Sequence, residues 1–154
     1  MTNYFGVNNT LQYQSSPAQK AGLGEYSGRL RVLWDSYTLG SGSLTTSDTL
    51  FLMKIPNNAR VMDAVVVSAD LGGTGTMNIG WQAGATGAEA AAATGFYSAL
   101  DLSGQAVIAS LVEVASASGA HKRFSEEVQV VMVPQASFSA TSGSVSLAIY
   151  YIMD

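Results

Sequence analysis

His121 is the only histidine in the chain, and its side chain is the one whose ordinary pKa suits proton transfer near neutrality. It sits in Gly119-Ala120-His121-Lys122-Arg123, a loop-like stretch entering a strand. Serines are abundant, so a Ser-His-Asp hydrolase is the enzymatic alternative, yet no Gly-x-Ser-x-Gly elbow accompanies them. Glu126 and Glu127 are adjacent, and on a strand they point to opposite faces, so they cannot share a substrate as a glycosidase pair does. Asp35, Asp63, Asp70 and Asp101 are far apart in sequence. With no Cys, one His and no Asp-rich loop, neither a thiolate or imidazole metal site nor a calcium loop is indicated, and no cofactor is expected. Leu71-Gly72-Gly73-Thr74-Gly75-Thr76 superficially matches a phosphate-binding loop, but it lacks the Lys and the helix that would follow. A hairpin turn is the better reading. These features together predict a protein that is not an enzyme.

Only 12% of residues are charged while 47% are hydrophobic, and Gly, Ser, Thr, Ala, Asn and Gln fill the gap. Desolvating a charge is costly, so such a surface suits packed interfaces and predicts a chain covered in an assembly. The alternative is a monomer with a neutral polar surface. A net charge of −4 lacks the electrostatic footprint of a nucleic-acid binder, so no nucleic-acid partner is expected. The first residues carry neither a basic nor an apolar region of signal type, and no apolar run approaches the roughly 20 residues of a membrane span, so no membrane partner is expected.

Residues 1–28 are rich in Asn, Gln, Ser and Gly, with the rings of Tyr4, Phe5, Tyr13 and Tyr26 scattered through them. We read them as an N-terminal arm that orders on a partner, with a disordered tail as the alternative. Residues 29–154 form the second unit, a β-sandwich domain. Leu30, Val32 and Trp34 alternate as the apolar face of a half-buried strand, and residues 50–53 are apolar on both faces. Pro56-Asn57-Asn58 and Gly72-Gly73-Thr74-Gly75 break residues 50–82 into three consecutive antiparallel strands. Val61, Val65, Val67 and Leu71 would give one core face, with Asp63 the odd polar member, and Met77, Ile79 and Trp81 the next. The Ala-rich stretch 88–94 allows a helical turn or two; 105–114, 128–133 and 145–153 read as further strands. Seven or eight strands without a helix of ordinary length predict an all-β fold, a jelly-roll-like two-sheet antiparallel sandwich.

The stretches 52–64 and 70–81, with Pro56-Asn57-Asn58 between two apolar strands and Thr76-Met77-Asn78-Ile79-Gly80 after them, resemble tailed-bacteriophage virion proteins, among them the head decoration, or cement, proteins. The closing strand 145–153 matches more loosely. This chain departs in carrying Asn58 where the pattern calls for Gly, and in its Ala-rich excursion. The resemblance implies a homotrimer on the outer capsid surface of the virion, assembled in the host cytoplasm, that binds the major capsid protein and stabilises the head. On that reading Tyr4, Phe5 and Tyr13 anchor the arm on the capsid, and Phe51 and Tyr150 pack between protomers. The cations Lys20, Arg29, Arg31, Lys54, Arg60, Lys122 and Arg123 read first as members of interface or strand-face ion pairs, and the alternative is that Arg29 and Arg31, just after the arm, meet an acidic partner surface. A carbohydrate- or receptor-binding jelly roll of a spike or fibre, using Trp81-Gln82 with Phe96-Tyr97, is the other reading.

Overall fold

The computed structural model describes residues 29–39, 43–104, 107–111 and 118–153. The proposed arm, and with it Tyr4, Phe5 and Tyr13, lies outside the described residues. Eight strands follow one another: β1 (Arg31–Thr38), β2 (Leu50–Ile55), β3 (Ala59–Ser68), β4 (Thr76–Trp81), β5 (Ala92–Asp101), β6 (Val107–Ser110), β7 (Val128–Pro134) and β8 (Ser144–Met153). They form two four-stranded antiparallel sheets, ordered β1-β8-β3-β6 and β2-β7-β4-β5. The pairs β1 with β8, β2 with β7, β3 with β6 and β4 with β5 are those of one long hairpin folded over on itself, the jelly-roll-like sandwich expected.

Two connections do something other than expected. Residues 50–82 do not make three neighbouring strands of one sheet, because β2 and β4 lie in one sheet and β3 in the other. Both Pro56-Asn57-Asn58 and Gly72-Gly73-Thr74-Gly75 therefore carry the chain across the sandwich, and the glycine stretch is a corner and not a hairpin turn. Asn58 has φ +63°, the left-handed conformation that Asn tolerates far better than other non-Gly residues, which explains why it can replace Gly here. Gly72 and Gly73 adopt φ +65° and +78° at the other corner.

The core lies between the sheets. Val61, Ala64, Val66, Val145, Leu147 and Ile149 face Met77, Ile79, Val128, Val130 and Met132, all buried. Full burial of each Val, Leu or Ile side chain contributes about 1.5–3 kcal/mol. The Tyr97 hydroxyl ties the sheets together, donating to the Ala64 carbonyl at 2.6 Å and lying 3.0 Å from that of Ala109.

A β-bulge corrects the expected phase of β3. Val61 pairs with Tyr151 but Asp63 pairs with Tyr150, so Met62 is the extra residue. Val61 faces the core before the bulge and Ala64 and Val66 after it; Val65 and Val67, expected inside, turn outward with Asp63. One inserted residue moves every later side chain to the opposite face. A second bulge in β2, between Phe51 and Lys54, lets both Leu50 and Ile55 reach the interior, and the Gln129 amide donates to the bulge carbonyls of Leu52 and Met53 at 2.6 and 3.3 Å. The helical turn expected near 88–94 is absent: the chain only bends at residues 88–89, and Ala92 opens β5. A run this short has too little local helical stability to resist pairing with β4. Of the strand expected at 105–114, Val107–Ser110 is strand, and residues 112–114 lie outside the described residues.

Candidate interaction surface

The outward face of the β1-β8-β3-β6 sheet is apolar and open. Strand β1 was expected to bury Leu30, Val32 and Trp34, but these are 58%, 51% and 64% exposed, and Leu33, between them, packs against the core. Apolar residues on both faces made the alternation ambiguous, and pairing decided it: Leu33 sits opposite Ile149, whose side chain is buried, so its neighbours on β1 must face away. Across the sheet, Val32 sits beside Tyr150 and Tyr150 beside Asp63; Trp34 sits beside Ala148, Ala148 beside Val65, and Val65 beside Ser110. Val67 adds further exposed surface beside Ser146. Asp63 brings the charge to these rows, and it bonds the Ser110 hydroxyl at 2.9 and 3.0 Å. Exposed apolar side chains gathered on one sheet face are the usual character of a contact surface.

The residues singled out in the sequence map unevenly onto it. Tyr150 is half-buried on this face. Phe51 is exposed, but on β2, the edge strand of the other sheet. Arg29 and Arg31 are exposed where the chain enters β1. The outward-facing apolar residues that sequence reasoning missed are Leu30, Val32, Trp34, Val65 and Val67. The presence of Asp63 at an even spacing from Val65 and Val67 was the available signal that this set faces out.

The loops at the end where β4 leads into β5 hold the two buried charges among the described residues, Glu89 and Glu126. Glu126 Oε1 accepts the Glu89 N–H at 2.8 Å, and its Oε2 accepts the Thr86 N–H and hydroxyl at 2.9 and 2.8 Å. Glu89 Oε1 accepts the Ser125 N–H and hydroxyl at 2.7 and 2.9 Å, and its Oε2 pairs with Lys122 Nζ at 2.7 Å. The backbone N–H of Glu89, followed by that of Thr86, holds the Glu126 carboxyl below its usual range. Burial pushes Glu89 upward, but the bonds from Lys122 and Ser125 outweigh it and hold that carboxyl low as well. Two ionised carboxylates so occupied as acceptors stitch loop to loop and have little capacity left for proton transfer. Glu127 points elsewhere, to Lys54 at 2.8 Å, so the adjacent glutamates do diverge as expected.

Trp81 packs edge-on against Phe124, with centroids 5.0 Å apart, and tilted against Phe96 at 5.2 Å, while Lys122 Nζ lies 5.2 Å from the Phe124 centroid. Trp81, Phe96 and Tyr97 are all buried, so they cannot form the exposed glycan platform considered from sequence. A ring over a sugar must present its face to solvent, and these faces are covered by one another. Asn57, Asn58, Arg123 and Ser125 line a cleft of about 310 Å³, in which Arg123 Nη2 donates to Asn58 Oδ1 at 2.8 Å. His121 is exposed with φ +58°. Among the described residues no group of three or more His, Cys, Asp or Glu is placed to hold a metal.

Neither a family model nor a curated protein matches the chain. Solved structures do. A chain of the cyanophage Pam1 capsid asymmetric unit superposes with a TM-score of 0.64 at 22% identity, over 91% of this chain and 96% of that one. A chain in the capsid of Ralstonia phage GP4 superposes with a TM-score of 0.62 at 17% identity, over 96% of each chain. At such identities the likeness is one of fold: the chain has a β-sandwich fold that phage capsids contain.

Proposed function

We propose that the chain is a non-enzymatic virion structural protein, a decoration or cement protein that binds the outside of the major capsid lattice and stabilises the head. The observation that carries this reading is the extent of the likeness to chains in two phage capsids, which spans nearly the whole of this chain and of both others. The low charge content and the open apolar face of the β1-β8-β3-β6 sheet agree with a protein whose surface is covered after assembly. Burial against several lattice subunits at once would raise the cost of opening the shell, since whatever binds only the closed lattice stabilises it by mass action.

In this reading the protomers form a homotrimer through the apolar face, with Trp34, Val32 and Tyr150 at the contact and Phe51 at its margin. Copies that each carry a net charge of −4 approach most easily through surfaces with few charges. The arm residues Tyr4, Phe5 and Tyr13 supply anchors on the major capsid protein. The test is co-sedimentation of the purified protein with expanded capsid shells that lack it, followed by thermal disruption of the shells. Saturable binding and a raised disruption temperature are expected. Recovery of the protein with the tail or fibre fraction, and none with the shells, would overturn the reading.

A further inference from the structure

Charge is segregated along the strands. Of the seven Lys and Arg, Lys20 lies outside the described residues, and Arg29, Arg31, Lys54, Arg60, Lys122 and Arg123 all gather at one end of the sandwich. Register puts them there. Arg31 pairs with Tyr151 and Arg60 with Ile152; the chain from Lys54 turns directly into Ala59; and Arg123 bridges to Arg60 across the two strands' ends. His121 sits in the same loop. Among the described residues the carboxylates at this end are Glu89, Glu126 and Glu127, with Asp63 further along β3, so six cations stand there against three or four carboxylates. Glu89 and Glu127 are spent on Lys122 and Lys54, and Glu126 on backbone N–H groups.

The opposite end reverses the sign. Asp70 and Asp101 stand in the corners joined by the bonds from Leu71 N to the Leu102 carbonyl and from Ala140 N to the Leu71 carbonyl, Asp48 stands in the turn before β2, which the bond from Phe138 N to the Leu44 carbonyl ties in, and Asp35 lies three residues from the end of β1. Among the described residues no Lys or Arg occurs there. Residues 1–28 join the domain at the basic end, at Arg29.

We propose that the basic end, with Arg29 and Arg31 at its entry, is the end that docks, and that its partner is an acidic protein surface on the shell, leaving the aspartate end facing away. This rests on the capsid-binding reading above and adds the orientation to it. A protein of net charge −4 meets an acidic lattice favourably only through the part of its surface where the sign is reversed. Residues 1–28 are joined to the chain at Arg29, at this end, so any contact they make is covalently linked to the basic one.

The experiment compares three full-length proteins on DNA-free expanded shells by co-sedimentation across a salt series: wild type, the pair Arg29→Glu with Arg31→Glu, and the triple Asp48→Asn, Asp70→Asn, Asp101→Asn, which keeps the local hydrogen-bond acceptors. The arginine pair is expected to lose at least about tenfold in affinity and most of its salt dependence, and the triple to bind as wild type does. The milder pair Arg29→Gln with Arg31→Gln, with an unchanged denaturation midpoint, should fall between them and separates docking from folding. Loss of binding by the triple with normal binding by the arginine pair would invert the orientation, and wild-type binding by every variant would remove charge from the contact. Either result overturns the proposal while leaving capsid binding intact. Binding that requires packaged DNA would replace the acidic protein with nucleic acid, and failure of the wild-type protein to bind any shell would overturn the parent reading as well.

Discussion

The two faces of the β1-β8-β3-β6 sheet are built from nearly the same amino acids and have opposite fates. Inside stand Val61, Ala64, Val66, Leu147 and Ile149, fully buried against the second sheet. Outside stand Leu30, Val32, Trp34, Val65 and Val67, of which Trp34 is 64% exposed. The inner set closes the fold within one chain; the outer set has no described neighbour layer above it. An apolar sheet face thus reports that burial is required, and whether the cover comes from the same chain or from an assembly is a separate question.

Substitutions on the two faces should separate most clearly at Leu147→Ala. It removes a fully buried side chain from the seam and is expected to cost about 2–5 kcal/mol in a urea-unfolding experiment. A loss below about 1 kcal/mol would mean that the inner face is not the cohesive one. Gly95→Ala probes how tightly the sealed side closes around its aromatic cluster. A Cβ there would fall 2.0 Å from the Trp81 ring, so about 1–3 kcal/mol should be lost, with a shift in tryptophan fluorescence.

The carboxylate stitching gives a smaller, pH-dependent effect. Glu89 and Glu126 titrate below the ordinary glutamate value of 4.5, so the unfolded chain binds protons first as pH falls. Their contribution is complete above that value and declines as pH drops through the folded-state range. Thermal scans between pH 6 and pH 3, as an approximate window around those values, should show the Glu126→Gln variant losing less of its melting temperature than wild type. A parallel decline in both would remove Glu126 from the account.

On the outer face, Trp34→Ser should change the unfolding free energy of the isolated chain by no more than about 0.5 kcal/mol. In the proposed homotrimer it should nevertheless reduce the mass seen by light scattering to that of one 16.0 kDa chain. A monomer destabilised as much as by Leu147→Ala would erase the contrast between the faces. An undisturbed trimer would move the interface elsewhere.

Much of the architecture was legible before any coordinates. The strand positions of β2, β4, β7 and β8, the burial of Met77, Ile79 and Trp81, and the alternation of Val145, Leu147, Ile149 and Tyr151 follow from period-2 patterning and turn residues, because a strand's side chains alternate whatever lies beside it. Phase was less legible. In β3 the bulge at Met62 is invisible in composition, and in β1 Leu33 and Trp34 are both apolar, so either face could have been the inner one. The outward surface was misread for the same reason: a core face and a contact face obey one rule of burial.

The sequence alone determined an all-β domain with few charges, strands punctuated by Gly, Pro, Asn and Ser, and no local catalytic signature. Those properties are carried by residue types and near-neighbour spacing. Tertiary structure decided which corner crosses between sheets, which valines turn outward after the bulge, and that six cations separated by up to 94 positions share one end while Asp48, Asp70 and Asp101 stand at the other. These are matters of register between strands distant in the chain, and the free energy that selects a register comes from the partner strand and the facing sheet, which no local segment contains.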